Sequence, residues 1–217
     1  MTAEVLAAVS VADAFSAALR GEPCRVWGIG SRSRALPVAS WTAPVSGTDL
    51  AILSACVGPT LDIGCGPGRF TAALAARGQV VLGIDLVAEA VNQTRQRGAS
   101  ALQRNVFDPL PGEGRWQTAL LADGNIGIGG DPVALLGRAR ELVAPYGRIV
   151  VDLAPHGNGW RVHEAWLECA GSSSARFPWS VVAPEALPEL ASRAGLRVEV
   201  IRRFEDRWFG VLVRSGR

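Results

Sequence analysis

The stretch Leu61-Asp62-Ile63-Gly64-Cys65-Gly66-Pro67-Gly68-Arg69-Phe70 constrains the fold more than any other, because it reads as a buried strand entering a tight turn and then a helix. Gly64, Gly66 and Gly68 alternate with other residues, which lets the backbone take positive φ and approach a ligand that a Cβ would push away. A glycine triplet alone also fits an ordinary strand-to-helix turn, so the flanking chain decides. Apolar runs predict strands at 60–63, 80–84, 101–107, 118–122 and 148–153, with helices at 70–77, 88–97 and 132–143. Asp131 and Pro132 supply the N-cap and first position of the last of these helices. Such alternation implies an α/β fold with a mostly parallel sheet covered on both faces, whose ligands bind beyond the strands' carboxyl ends. The runs 196–204 and 207–214, separated only by Glu205-Asp206, predict an antiparallel hairpin.

Outside this repeat, residues 3–19 place Val5, Val9, Ala12, Phe15 or Ser16, and Leu19 on one helical face that Gly21 and Pro23 terminate. Its stripe suits packing against the core, and covering a ligand site is the alternative. Residues 24–46 read as irregular, with Trp27, Trp41, Arg32 and Arg34 either anchoring a loop or lining a substrate pocket. Thr48 or Asp49 caps a helix running to Cys56. Beyond the fifth strand, an irregular stretch at 155–160, a helix at 161–170 and a last helix at 184–194 are expected. The chain therefore divides into an addition at 1–57, read as a substrate cover, and a ligand-binding domain at 58–217.

All 22 basic residues are arginine, against 20 acidic residues, and the net charge is +2. That balance supplies no strong field for nucleic acid or an anionic membrane, and the absence of lysine excludes Schiff-base catalysis and a P-loop. Cys24, Cys56, Cys65 and Cys169 are scattered, with no zinc spacing, so reduced thiols and no metal are expected. No apolar run reaches the roughly 18 residues that span a bilayer, and the N-terminal run carries Glu4 and Asp13; a soluble, cytoplasmic protein is expected. Oligomeric state stays open, a homodimer among the options.

Asp62 within the first strand, Asp85 ending the second and Asp108 after the third all border the expected crevice. A carboxylate ending strand two is placed to accept bonds from both ribose hydroxyls. Loops for NAD read Gly-x-Gly-x-x-Gly, where the third glycine seats a pyrophosphate; here the order is Gly64-x-Gly66-x-Gly68, which suits a nucleoside without phosphate.

Asp-Ile-Gly-Cys-Gly-Pro-Gly resembles motif I of the class I S-adenosylmethionine-dependent methyltransferases, and the resemblance extends from Gly58 to Arg214, terminal hairpin included. It implies a Rossmann-like, seven-stranded sheet with a C-terminal antiparallel hairpin, and S-adenosyl-L-methionine as donor. Carried over, Gly64, Gly66 and Gly68, with Cys65 beside them, approach the methionine part. Asp62 orients the loop, Asp85 with Leu86 holds the ribose, and Phe107 and Asp108 meet the adenine. Asp123 and Asn125 lie where motif IV faces the reactive methyl group. This turn is similar to a branch associated with actinobacteria and departs from the Asp/Asn-Pro-Pro-aromatic signature for methylating DNA bases and glutamine.

For a hydroxyl acceptor a base is needed, and Asp123, Asp131, His156, His163 and Glu164 are the candidates, His156 first. Trp27, Trp41, Trp160, Trp166, Phe177 and Trp179 lie in segments expected to roof the site, with Arg34, His156 and His163 as further substrate contacts. The expected reaction is methyl transfer to a small molecule on oxygen or nitrogen. The alternatives are a non-catalytic or repurposed binder of the same donor, acting as sensor or structural subunit, and an NAD oxidoreductase.

Overall fold

The computed structural model describes residues 8–157 and 159–216. In chain order the strands are β1 (Cys24–Trp27), β2 (Arg34–Ala35), β3 (Thr60–Ile63), β4 (Val81–Asp85), β5 (Ala101–Gln103), β6 (Trp116–Leu121), β7 (Val143–Leu153), β8 (Trp160–Cys169), β9 (Ser172–Ser173), β10 (Phe177–Val182), β11 (Leu196–Phe204) and β12 (Arg207–Arg214). The helices are α1 (Val11–Leu19), α2 (Val38–Thr42), α3 (Gly47–Leu53), α4 (Arg69–Ala76), α5 (Ala88–Gln96), α6 (Pro132–Leu142) and α7 (Leu187–Arg193).

The apolar runs assemble a seven-stranded sheet in the order β11-β12-β7-β6-β3-β4-β5. Its β5-β4-β3-β6-β7 portion is parallel, while β12 pairs antiparallel with both β7 and β11. Neighbouring residues of one strand serve opposite faces. Ala119, Leu121, Ile149 and Val151 pack with α6 and α7, whereas Leu120 and Val150 pack with Phe70, Leu74, Ile52 and Leu53 of α4 and α3. Covering both faces leaves the carboxyl ends of the parallel strands as the open edge. β5 stops at Gln103, short of the expected 107, because the chain turns back and the Asp108 amide donates to the Asn105 carbonyl.

A second, wholly antiparallel sheet lies in the order β10-β8-β1-β2, with β9 on β8. It corrects two expectations. Residues 161–170 are not a helix but mostly the strand β8, and residues 24–46, read as irregular, contribute β1 and β2 to the same sheet. In β8, Ala165, Leu167 and Cys169 are buried while Glu164 and Glu168 are exposed. That period of two prevails over the helix propensity of Glu, Ala and Leu once a partner strand is present.

Cys24 and Cys169, opposite one another on β1 and β8, form a disulfide, so the expectation of reduced thiols fails for this pair. Cys56 and Cys65 are free and buried. α1 begins at Val11, where the Ser10 hydroxyl accepts the Asp13 amide at 3.0 Å; Val9 instead bridges to Ser174, and Val5 lies outside the described residues. The capping box of α3 is built from Ser46 and Asp49, which moves its N-cap two residues ahead of Thr48. Among the described residues no helix is long and apolar enough to cross a membrane.

Candidate active site

β3 ends in the glycine turn, whose Gly64 and Cys65 amides both donate to the Ile84 carbonyl at the end of β4, at 2.8 and 3.0 Å. Two glycines matter for different reasons. At Gly64 (φ +71°) a Cβ would fall 2.7 Å from Asn125 Nδ2, because that amide donates to the Ile63 and Gly64 carbonyls at 2.9 and 2.8 Å. At Gly66 (φ +54°) a Cβ would meet nothing within 4 Å, so the backbone faces open space. Asp85 fixes that turn from β4: one carboxylate oxygen accepts the Gly66 amide at 2.9 Å and the other the Val87 amide at 2.8 Å. Burial raises the Asp85 carboxyl above its usual range against those amides. Asp62 is more deeply buried. Burial pushes its carboxyl up to about 7, although it accepts the Thr71 hydroxyl at 2.6 Å.

A cavity of about 790 Å³ opens over this turn. Its floor is the glycine loop, Asp85, Leu86, Val87, Asn105, Val106 and the turn after β6, including Asp123, Asn125 and Ile128. Its roof comes from Val11, Ala12, Phe15 and Leu19 of α1, from Val26, Arg34, Leu36 and Trp41, and from Leu167, Phe177, Pro178, Trp179 and Val181. The stripe of α1 thus covers the cavity, while Ala14 and Ala18 on another side of the helix pack with the two disulfide cysteines and Leu167. The roof is shared between the N-terminal segment and the excursion β8–β10.

One wall holds a charge network that no local pattern announces. Arg69, at the first position of α4, pairs with Asp49 of α3 and with Asp123, whose two oxygens lie 2.6 and 2.9 Å from its Nη2. Arg207 of β12 pairs with the same Asp49, with Asp123 at 2.7 Å, and through two bonds of 3.0 and 2.9 Å with Asp152 of β7. Burial would raise the Asp49 carboxyl, but the Ser46 amide and both guanidiniums outweigh it and the net shift is downward. Burial also raises Asp152, against the Arg207 bonds. The network holds Asp123 at a φ of +52°, uncommon for a residue with a side chain.

The glycine cradle, with a carboxylate behind it, thus lies at the carboxyl edge of a parallel sheet that ends in an antiparallel hairpin. The family model described as a methyltransferase domain matches residues 60–147. That family description covers 88 of the 217 residues, the part of the chain that holds β3 to β6, α4 to α6 and the glycine turn. The fold is that of a methyltransferase from Bacteroides fragilis solved with S-adenosyl-L-homocysteine, at 20% identity and a TM-score of 0.78, covering 95% of this chain and 94% of that one. The 1,6-didemethyltoxoflavin-N1-methyltransferase of Burkholderia thailandensis is similar at 21% identity and a TM-score of 0.58, over 76% of each chain. The glycopeptide N-methyltransferase MtfA follows at 16% and 0.59, over 77% of this chain and 86% of that one. No curated protein matches the sequence.

Around this cavity the structure brings together Asp62, Gly64, Cys65, Gly66, Asp85, Leu86, Asp123, Asn125, Arg34 and Trp41 of the residues expected from the sequence. Gly68 sits just behind, where a Cβ would strike Thr94. Phe107 and Asp108 do not line the cavity: the Phe107 amide is taken by the Asn105 side chain at 3.1 Å, and Asp108 is exposed beyond the turn. Asn105 and Val106 stand in their place. His156 is also outside, with a side chain 66% exposed, 3.8 Å from Glu185 and beside Trp208. Trp27 stacks on Trp166 with centroids 6.0 Å apart, and Trp27 donates to Glu168. That places it on the outer face of the sheet, since these partners alternate with the cavity-lining Val26 and Leu167. Trp160 packs against the main core, and His163, opposite Trp179 in register, is not among the lining residues. Asn125 bonds the glycine loop, and Asp123 is paired with two arginines. Phe15 was legible only as part of an apolar stripe and Asp49 only as a candidate helix cap, and nothing local joined Asp49 or Asp152 to Arg207.

Proposed function

We propose that this chain transfers a methyl group from S-adenosylmethionine to a small molecule, on nitrogen or oxygen. The open space over Gly66 beside the Asp85 carboxylate carries the reading, because it admits a ribose-bearing ligand against bare backbone. Asp85, backed by Leu86, would hold the ribose hydroxyls, and the Gly64–Gly66 backbone the methionine part. Asp62 supports the turn through Thr71 at the start of α4. When bound, the donor supplies a methyl group already activated on a sulfonium. The protein's work is therefore alignment and exclusion of water, which the roof provides. An apolar cavity of this volume suits one donor and one compact acceptor, not a polymer.

The lining carboxylates Asp62, Asp85 and Asp123 are all engaged by protein donors, and that observation favours one second reading, a donor-binding protein without transfer activity. Calorimetry with S-adenosylhomocysteine and NADH, followed by incubation of labelled donor with metabolite extracts, separates the possibilities. Binding of the first ligand alone and labelling of a small molecule are expected. Binding of NADH in its place removes the donor assignment, and tight donor binding with nothing labelled favours the second reading.

A further inference from the structure

Four aromatic rings form a continuous ceiling over the cavity. Trp41 of α2 lies 6.4 Å from Phe15 of α1, Phe15 lies 6.2 Å from Phe177, and Phe177 lies 6.5 Å from Trp179, centroid to centroid. The row ends above the turn after β6, where Ile128 bridges to Trp179 and a Cβ on Gly127 would lie 2.7 Å from Trp179 Nε1. All four rings line the cavity. The rings meet at interplanar angles of 44°, 56° and 89°, tilted and edge-on contacts that leave single apolar ring faces toward the cavity, and a flat, apolar partner suits one such face.

The same cavity lacks a free proton acceptor among the described residues. Asp62 is buried on Thr71, Asp85 accepts two backbone amides, and Asp123 is held by Arg69 and Arg207. The Cys65 thiol is buried, and burial raises its pKa further from use as a base. His156 and His163 stand outside, Tyr146 is fully exposed elsewhere, and the chain has no lysine. Among the described residues, a hydroxyl acceptor would find no uncommitted side chain to take its proton.

Resting on the methyl-transfer reading above, we infer that the acceptor is a planar, apolar compound methylated on a nitrogen whose lone pair is free at neutral pH, with the Trp41-Phe15-Phe177-Trp179 row as its platform. The nitrogen lone pair forms the N–C bond while the C–S bond breaks, its electron pair staying on sulfur. The positive charge passes to nitrogen, and any N–H proton then leaves to water. No protein base takes part.

The test uses the full chain, benzimidazole and 1-aminonaphthalene as nitrogen probes, and 1-naphthol as the matched hydroxyl. Calorimetry in saturating S-adenosylhomocysteine should show the nitrogen probes binding, and Trp41→Ala should weaken them about tenfold while leaving S-adenosylhomocysteine affinity within about twofold. With labelled donor, transfer to nitrogen should exceed transfer to 1-naphthol at least about a hundredfold, the usual contribution of a general base, and stay flat between pH 6.5 and 8.5. Equal or faster labelling of 1-naphthol, no binding or labelling of either nitrogen probe by the donor-competent protein, or unchanged probe affinity in Trp41→Ala overturns the inference while the donor site stands. Failure to bind S-adenosylhomocysteine overturns both readings.

Discussion

Replacing Arg207 with leucine tests whether the charge network, rather than the hairpin's apolar packing alone, fixes β12 beside the site. The substitution leaves Asp49 and Asp123 sharing the single remaining guanidinium of Arg69 and removes both Arg207 bonds to Asp152. Asp49 and Asp152 are 2% and 7% exposed, so solvent cannot replace the lost partner. Breaking a buried pair by removing one member costs about 3–5 kcal/mol. With an unfolding entropy of about 2.1 cal/mol/K per residue over 217 residues, that lowers Tm by about 7–11 °C. The loss should depend on pH in a defined direction. Burial already raises Asp152, and removing Arg207 removes the bonds that oppose it, so its folded pKa rises further above the unfolded value. The folded variant then binds a proton that the unfolded chain has released, and the variant's stability falls as pH rises through that window. Thermal unfolding of both proteins at pH 5 and pH 8 should show the smaller gap at pH 5. A gap below about 2 °C, or one equal at both pH values, would refute the reasoning.

Asn125→Ala removes two bonds to the carbonyls of the glycine loop. At about 1 kcal/mol each, S-adenosylhomocysteine affinity should fall about tenfold or more by calorimetry, and unchanged affinity would dismiss the positioning role. His156→Ala should leave turnover within about twofold because the imidazole lies outside the cavity; a loss near a hundredfold would restore it as the base. The Cys24–Cys169 bond closes a separation of 145 residues, and exchanging both for serine should cost about 2–4 kcal/mol in urea unfolding. Wild type under reductant should match that variant, and no response to reductant would contradict the pairing. Because Asp62 titrates at about 7 in the folded state, its contribution to stability should decline as pH rises from about 4 to 7, and Asp62→Asn should flatten that part of the profile.

What the sequence by itself determined lies in stretches whose meaning is local. The strand, glycine turn and helix at 60–76, the apolar strands with intervening helices, and the Glu205-Asp206 hairpin depend on residue period and backbone freedom over about ten positions. Those patterns were sufficient for the sheet and for the glycine loop. The ends of elements were less legible: β5 stops early at a turn made by its own Asn105, and α3 starts at Ser46.

The roof of the cavity was decided only by tertiary structure. β8 carries residues that suit a helix, and its partners β1 and β10 lie far away in the chain or after it, so a local reading could not weigh them. Cys24 meets Cys169 across 145 residues, and Asp49 meets Arg207 across 158. Trp27 and Trp41 look alike in sequence, yet one faces solvent on the outer side of a sheet and the other the cavity. Burial and charge pairing are properties of juxtaposed surfaces, and only folding brings those surfaces together. The glycine loop was written in neighbouring residues, whereas the roof above it was written in residues that become neighbours only in the fold.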